Sequence, residues 1–164
     1  MRHRRPIWYG LLALALAFLA LLAYDRRQGP TGGWLAQAGL EPRFTEVDGL
    51  RLRYVRAGQG SPVLLLHGFS SSLYTWRDVL PGLARRHDVV ALDRPGFGGS
   101  QIPADLSPER LRRAALGLAR ALGLTRPAVV GHSMGGLVAA ALSSDPELDP
   151  SRVAVIDAAT FAMG

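Results

Sequence analysis

Residues 127–142 read PAVVGHSMGGLVAAAL and indicate a strand, a tight turn and a helix in direct succession. Its apolar start predicts a buried strand, its apolar end predicts the beginning of a helix, and residues 131–135 between them fit G-x-S-x-G. A serine on such a strand-to-helix turn has a strained backbone, so its hydroxyl projects from the edge of the sheet. Ser133 is therefore the candidate nucleophile, and Gly131 and Gly135 leave room for the strand and the helix to approach.

A second motif lies upstream, where the apolar run Pro62–Leu66 ends in His67, Gly68 and Phe69. Such a run is typical of a strand buried on both faces. Gly68 permits an unusual backbone turn, which can direct the N–H of Phe69 toward the same point as the N–H of Met134 at the helix start. These two N–H groups are the candidate oxyanion hole. His67 is interpreted as a structural histidine that bonds within the loop, and not as the general base.

The rest of the body predicts alternating strands and helices. The predicted elements are hairpin strands at 43–47 and 50–56 around Asp48-Gly49, a helix near 76–83 broken or bent at Pro81, a strand at 88–92, a helix from Ser107-Pro108 to Gly123, and a strand at 152–156. This alternation predicts an α/β fold with a mostly parallel sheet and flanking helices.

Three motifs in order, His-Gly-Phe at 67–69, DRPGFGGS at 93–100 and GHSMGG at 131–136, resemble those of α/β-hydrolase-fold serine hydrolases. The chain is most similar to the branch with esterases, cofactor-free haloperoxidase-like enzymes and C–C bond hydrolases, and the resemblance covers about residues 44–164. It implies that Ser133 is the nucleophile and that the site uses no metal and no organic cofactor. The implied substrate is a small, ester-like molecule, and the apolar residues near the serine, Phe69, Leu73, Met134 and Phe161, favour an apolar one.

The resemblance also carries exclusions and one departure. Ser133 lies on the strand-to-helix turn, which is called the nucleophile elbow. A serine at this elbow argues against the dehalogenase and epoxide-hydrolase branches, which place aspartate there. In the family an acid and a histidine follow the nucleophile. No histidine follows Ser133, since the four are His3, His67, His87 and His132. Among the later acids, Asp157 is a weak candidate.

Residues 43–164 are therefore expected to be the N-terminal part of an α/β-hydrolase domain that lacks the triad acid and histidine. We expect the 164-residue chain itself to be inactive. The alternative is a non-catalytic, membrane-tethered α/β interaction module. A nucleotide-binding domain is disfavoured, because neither G-x-G-x-x-G nor a P-loop occurs and the chain has no lysine.

The N-terminus predicts a membrane segment at residues 7–24, which carry no charge. A helix of that length spans about 27 Å, close to the roughly 30 Å of a hydrocarbon core. Arginines at positions 2, 4 and 5 favour a cytoplasmic tip at 1–6, with the hydrolase domain outside the cytoplasm. Residues 25–42 are expected to be a linker.

A cleaved signal peptide remains the alternative, with a secreted or periplasmic product, although no clear small-x-small site follows the apolar run. A buried core helix is disfavoured, because the segment is apolar around its whole circumference.

Charge argues against a nucleic-acid partner. The net charge is +6 and all 19 basic residues are arginine, but three of them lie in the first five residues and the others form no basic stripe. The absence of cysteine excludes disulfides and thiolate chemistry within these 164 residues.

Overall fold

A computed structural model describes residues 32–158, nearly all of which belong to a compact unit that begins at Trp34. The predicted tip and membrane segment, residues 1–24, lie outside the described residues. Within residues 32–158, no helix is long and apolar enough to cross a bilayer.

The described elements alternate as the sequence predicts. The strands are β1 (Arg43–Val47), β2 (Leu50–Ala57), β3 (Ser61–Leu66), β4 (His87–Leu92), β5 (Ala128–His132) and β6 (Arg152–Ile156). The α-helices are α1 (Gly32–Gln37), α2 (Leu80–Leu83), α3 (Pro108–Ala121) and α4 (Met134–Leu142), and a 3₁₀ helix covers Leu73–Trp76.

The strands form one sheet in the order β1-β2-β4-β3-β5-β6. The pairs β1–β2 and β2–β4 are antiparallel, whereas β4, β3, β5 and β6 run parallel to one another. The prediction of a mostly parallel sheet is confirmed. Because the last four strands are parallel, their carboxyl ends lie at one edge, and the loops that follow them meet there.

Each face of the sheet carries a hydrophobic core. On β3, Leu64 and Leu66 face the cluster that α3 and α4 cover, while Val63 and Leu65 face the cluster beneath the 3₁₀ helix and α2. Side chains alternate between faces along a strand, so the continuous apolar run of β3 fills both cores. This is why that run identifies a central strand.

Local signals set the ends of the long helix. The Ser107 hydroxyl accepts a hydrogen bond from the N–H of Arg110 at 3.3 Å, Pro108 occupies the first turn, and Gly123 follows the helix end with φ +66°. The helix predicted near residues 76–83 is instead two short pieces. Pro81 falls in the first turn of α2, where its missing N–H costs no helical hydrogen bond.

Helix α1 lies in the segment predicted as a linker. Leu35 is buried and belongs to the same hydrophobic cluster as Trp76 and Leu80. The Gly- and Pro-rich composition around residue 30 indicated a linker, whereas burial of this leucine attaches residues 34–37 to the folded unit.

Candidate active site

Ser133 lies on a sharp turn between β5 and α4. Its backbone has φ 51° and ψ −123°, a conformation that residues other than glycine seldom adopt. Its N–H donates to the carbonyl of Ile156 at 2.8 Å, and its own carbonyl accepts from the N–H of Gly136 at 2.8 Å. The surrounding backbone therefore holds the serine in its strained conformation, as expected of a functional residue.

Two glycines flank the turn because backbone passes against backbone there. A Cβ at Gly131 would lie 2.2 Å from the carbonyl oxygen of Gly135. A Cβ at Gly135 would lie 2.2 Å from the carbonyl oxygen of Leu66 in β3. Since neither backbone can yield at that distance, only glycine lets α4 begin so close to the sheet.

The loop after β3 packs directly on this turn. A Cβ at Gly68 would lie 3.2 Å from the Cβ of Ser133 and 3.0 Å from Nδ1 of His132, so Gly68 brings its backbone against the serine. The next residue, Phe69, is 70% exposed. Met134 is the first residue of α4, where the N–H has no carbonyl within the helix to bond to. The structure thus brings the predicted residues Gly68, Phe69, Ser133 and Met134 to one edge of the sheet.

His67 is fully buried and both of its ring nitrogens are engaged. The N–H of Arg94 donates to Nε2 at 3.0 Å, so Nδ1 carries the proton and donates to the Gly68 carbonyl at 2.8 Å. Burial, and then the charge of Arg94, lower the pKa of His67 to about 3. At neutral pH the ring is uncharged and both of its nitrogens make hydrogen bonds, which is the arrangement of a structural histidine.

Asp93 joins three segments beneath the site. Its buried carboxylate accepts from Nε of Arg53 at 2.5 Å, from the N–H of Gly99 at 2.8 Å and from the N–H of Leu73 at 2.7 Å. These bonds connect β2, the loop after β4 and the start of the 3₁₀ helix. Asp93 therefore has a structural role, because it holds these three segments together.

Arg94, the next residue, reaches the loop after β3 that carries Gly68 and Phe69, called the oxyanion loop below. Its Nη2 donates to the carbonyl of Gly68 at 2.8 Å, and its Cζ lies 5.1 Å from the centroid of the Phe97 ring. Phe97 in turn packs edge-on against Phe69, with 5.6 Å between ring centroids. The sequence alone did not predict this contact. The sequence did contain one signal for it. Arg94 directly follows β4, and the parallel strands β3 and β4 end at the same edge of the sheet.

The remaining predicted groups are spread apart. His87 begins β4 and its Nδ1 lies 2.8 Å from the Ser61 hydroxyl, at the end of the sheet opposite Ser133. His132 has a buried Nδ1 without a hydrogen-bond partner among residues 32–158. Asp157 follows the last residue of β6 with φ 48° and is exposed. No group of three potential metal ligands occurs in the described part of the chain.

The comparisons with known proteins agree with this geometry. A family model described as the alpha/beta hydrolase fold matches residues 61–156, from the start of β3 to the end of β6. The chain belongs to the α/β-hydrolase fold family. The family suggested by the three motifs is thereby confirmed.

Among sequence relatives, this α/β-hydrolase is 37% identical over 112 residues to the soluble epoxide hydrolase of Corynebacterium sp. (strain C12). That match covers 68% of this chain and 39% of the relative. It is also 36% identical over 99 residues to the 2-hydroxy-6-oxo-6-(2'-aminophenyl)hexa-2,4-dienoic acid hydrolase of Metapseudomonas resinovorans, covering 57% of this chain and 34% of the relative. The chain thus spans about two-fifths or less of the length of these relatives.

Among solved structures, this α/β-hydrolase resembles the crystal structure of a membrane phospholipase A with a TM-score of 0.71 and 32% identity. That match covers 93% of this chain and 53% of the other chain. The similar proteins carry out different reactions, so the likeness establishes the fold, and the residues of the site must be used to choose among reactions.

Proposed function

We propose that this chain carries the nucleophile and the oxyanion hole of a membrane-anchored hydrolase that cleaves an ester or a related carbonyl compound. The observation that carries the proposal is the backbone of Ser133, held at φ 51° and ψ −123° between β5 and α4 with the Gly68 loop packed against it. Strain of this kind persists where the surrounding structure enforces it, as at the nucleophile of a hydrolase.

The proposed reaction has two halves. Oγ of Ser133 forms a bond to the carbonyl carbon while a base takes the hydroxyl proton, and the carbonyl electron pair moves onto oxygen. The N–H groups of Phe69 and Met134 stabilise that oxyanion until it collapses and expels the alcohol, which receives the proton from the base. Water then attacks the acyl-serine by the same route and releases the acid.

The base in this proposal is a histidine outside these 164 residues. Both ring nitrogens of His67 are already bonded, and His87 lies at the opposite end of the sheet. The length of the relatives supports this assignment, because the chain spans only 39% of the soluble epoxide hydrolase that it matches. Asp157 remains a weak candidate for the acid.

An apolar ester is the proposed substrate class. Serine at position 133 favours acyl transfer over the aspartate-based chemistry that the family resemblance assigns to epoxide hydrolases and dehalogenases. The exposed ring of Phe69, packed on Phe97 beside the oxyanion loop, offers an apolar surface next to the serine. The similarity to a membrane phospholipase A also supports an ester of apolar character.

Membrane anchoring through residues 7–24 belongs to the same proposal. Its support is the uncharged apolar run itself and the likeness of the chain to a protein described as a membrane phospholipase A. In the proposed topology the N-terminus is cytoplasmic and the hydrolase domain is extracytoplasmic. Cleavage of the segment as a signal peptide, giving a secreted or periplasmic protein, is the alternative.

A non-catalytic interaction module is the second candidate, favoured by one observation. Among the described residues neither His67 nor His87 is placed to deprotonate Ser133. If no histidine elsewhere in the protein does so, the serine remains a poor nucleophile.

Hydrolysis of short-chain and long-chain aryl esters by the full-length protein tests the proposal. Ser133→Ala should abolish turnover, while Ser143→Ala, at the exposed far end of α4, should leave it unchanged. Wild-type protein with no turnover on any ester would favour the interaction module. Turnover that survives Ser133→Ala would place the nucleophile elsewhere.

A further inference from the structure

Arg94 is a buried cation without a described carboxylate partner. Its relative exposure is 0%, and its Nε and Nη1 have no hydrogen-bond partner among residues 32–158. Burying an unpaired charge is costly. Burial accordingly lowers the pKa of Arg94 to about 10, which still leaves the guanidinium charged at neutral pH. Arg53, by contrast, is paired with buried Asp93.

The one described hydrogen bond of the Arg94 side chain goes to the carbonyl of Gly68, at 2.8 Å. That carbonyl also accepts from Nδ1 of His67 at 2.8 Å. Arg94 and His67 are also bonded directly to each other, because the backbone N–H of Arg94 donates to Nε2 of His67. The side chains of Arg94 and His67 therefore both donate to the Gly68 carbonyl, and the direct bond between Arg94 and His67 keeps the two donors in place.

The orientation of this carbonyl sets the orientation of the next N–H. A trans peptide is planar, so its C=O and N–H point in opposite directions, and the described part of the chain has no cis peptide. With the Gly68 carbonyl turned toward Arg94 and His67, the N–H of Phe69 faces away from them. A Cβ on Gly68 would lie 3.2 Å from the Cβ of Ser133, so the peptide unit that carries this N–H adjoins the serine.

We propose that Arg94 is a positioning residue of the oxyanion hole: together with His67 it clamps the Gly68 carbonyl, and so keeps the Phe69 N–H turned toward the oxygen that becomes negative at Ser133. The inference rests on the proposed function. It adds a group that touches neither substrate nor nucleophile and that acts through one peptide unit.

The charge of Arg94 contributes as well as its hydrogen bond. A charged donor makes a stronger hydrogen bond than a neutral one. A hydrogen bond accepted by a carbonyl polarises the peptide, which makes the N–H of the same unit a better donor. Phe97 holds the guanidinium in place from its ring face, within the range of a cation–π contact.

Three variants of the full-length protein test this. Arg94→Met keeps an unbranched side chain but removes the donor and the charge, and Arg94→Lys keeps the charge. Arg56→Met is the matched control, because Arg56 is a partly buried arginine whose bonds go to Asp88 and to the carbonyl of Leu122, away from the site.

In ester hydrolysis, Arg94→Met should lower kcat roughly 10-fold to 100-fold with little change in KM, less than the roughly 10²- to 10³-fold cost of deleting an oxyanion donor. Arg94→Lys should recover part of kcat near neutral pH. Its kcat should then fall at alkaline pH, because burial lowers the pKa of a lysine. Arg56→Met should keep kcat. A role in packing alone would lower the amount of folded protein without this pH profile.

A second measurement does not depend on activity. In the ligand-free protein, the ¹³C resonance of the Gly68 carbonyl and the ¹⁵N resonance of the Phe69 amide should both shift in Arg94→Met and stay unchanged in Arg56→Met. Unchanged resonances in a folded Arg94→Met protein, or a kcat equal to that of wild type, would overturn the clamp. If Ser133 proves not to be the nucleophile, the proposed function fails while the resonances still decide whether the clamp exists.

Discussion

The backbone N–H of Ser133 donates to the carbonyl of Ile156, the last residue of β6, at 2.8 Å. The elbow is therefore joined to the neighbouring strand as well as to its own strand and helix. β6 lies at the edge of the described sheet, where Val155 and Ile156 are partly exposed. The position of the proposed nucleophile consequently depends on the order of this edge strand.

The close approach of α4 to β3 predicts a steric effect. Gly135→Ala should destabilise the protein by about 1–3 kcal/mol, because the added methyl meets the backbone oxygen of Leu66 and overpacks the site. Urea unfolding measures the change. Gly82→Ala is the control: a Cβ there has nothing within 4 Å, and its stability should stay equal or rise by up to about 1 kcal/mol. Equal stabilities for the two variants would contradict the packing described at the elbow.

The buried ion pair beneath the site predicts a large loss of stability. Arg53→Met should cost about 3–5 kcal/mol of unfolding free energy, because it leaves the buried carboxylate of Asp93 without its cation. Arg77→Met removes an exposed pair with Asp78 and should change stability by less than about 1 kcal/mol. Chemical denaturation of both variants provides the comparison. A small loss of stability in Arg53→Met would contradict this prediction. It would mean that the N–H groups of Leu73 and Gly99 stabilise the buried carboxylate without the cation.

Burial of His67 predicts a pH dependence of stability. The folded pKa is lowered from 6.5 to about 3, so between these values the unfolded state binds a proton that the folded state does not. Stability from this group is therefore complete above about pH 6.5 and declines as the pH falls toward 3. Urea unfolding at several pH values should show a slope that His67→Gln reduces and that His87→Gln retains.

NMR of the His67 ring provides an independent reading of the same prediction. The ¹⁵N resonances should show a neutral ring with the proton on Nδ1 at pH 5, well above the lowered pKa of about 3. A ring that is fully protonated at pH 5 would contradict both the burial of His67 and its part in the clamp.

The proposed anchor predicts fractionation with membranes. Full-length protein should remain in the membrane pellet after a carbonate wash, and protease added from outside should digest the body and spare the tip. Replacing Leu14 and Leu16 with arginine should release the protein, since charges at the centre of a spanning segment cost about 2.5–3.5 kcal/mol each. Recovery of a soluble form that begins near Tyr24 would instead support signal cleavage.

Much of the fold could be predicted because its signals are local. The apolar run of β3 and the turn residues around Ser133 are contiguous in sequence, and they identified a central strand and the elbow. The bounds predicted for β6, residues 152–156, match the structure. Ser107 and Pro108 likewise marked the start of α3 correctly.

The clamp on the oxyanion loop could not be predicted in the same way. Arg94 meets Gly68 across 26 positions of sequence, and that contact exists only because β3 and β4 are neighbours in the sheet. The burial of Leu35 was missed for a related reason, since glycines and a proline precede it and the other buried members of its cluster lie between Val55 and Ala91. Pairings of this kind depend on tertiary packing, which local patterns do not contain.

Covalent labelling identifies the nucleophile, a role that we assign to Ser133. Full-length protein is treated with a serine-reactive phosphonate, digested, and the modified peptide is mapped by mass spectrometry. We predict a single adduct on Ser133, lost in Ser133→Ala and retained in Ser143→Ala. An adduct on another serine, or labelling that persists in Ser133→Ala, would contradict the claim.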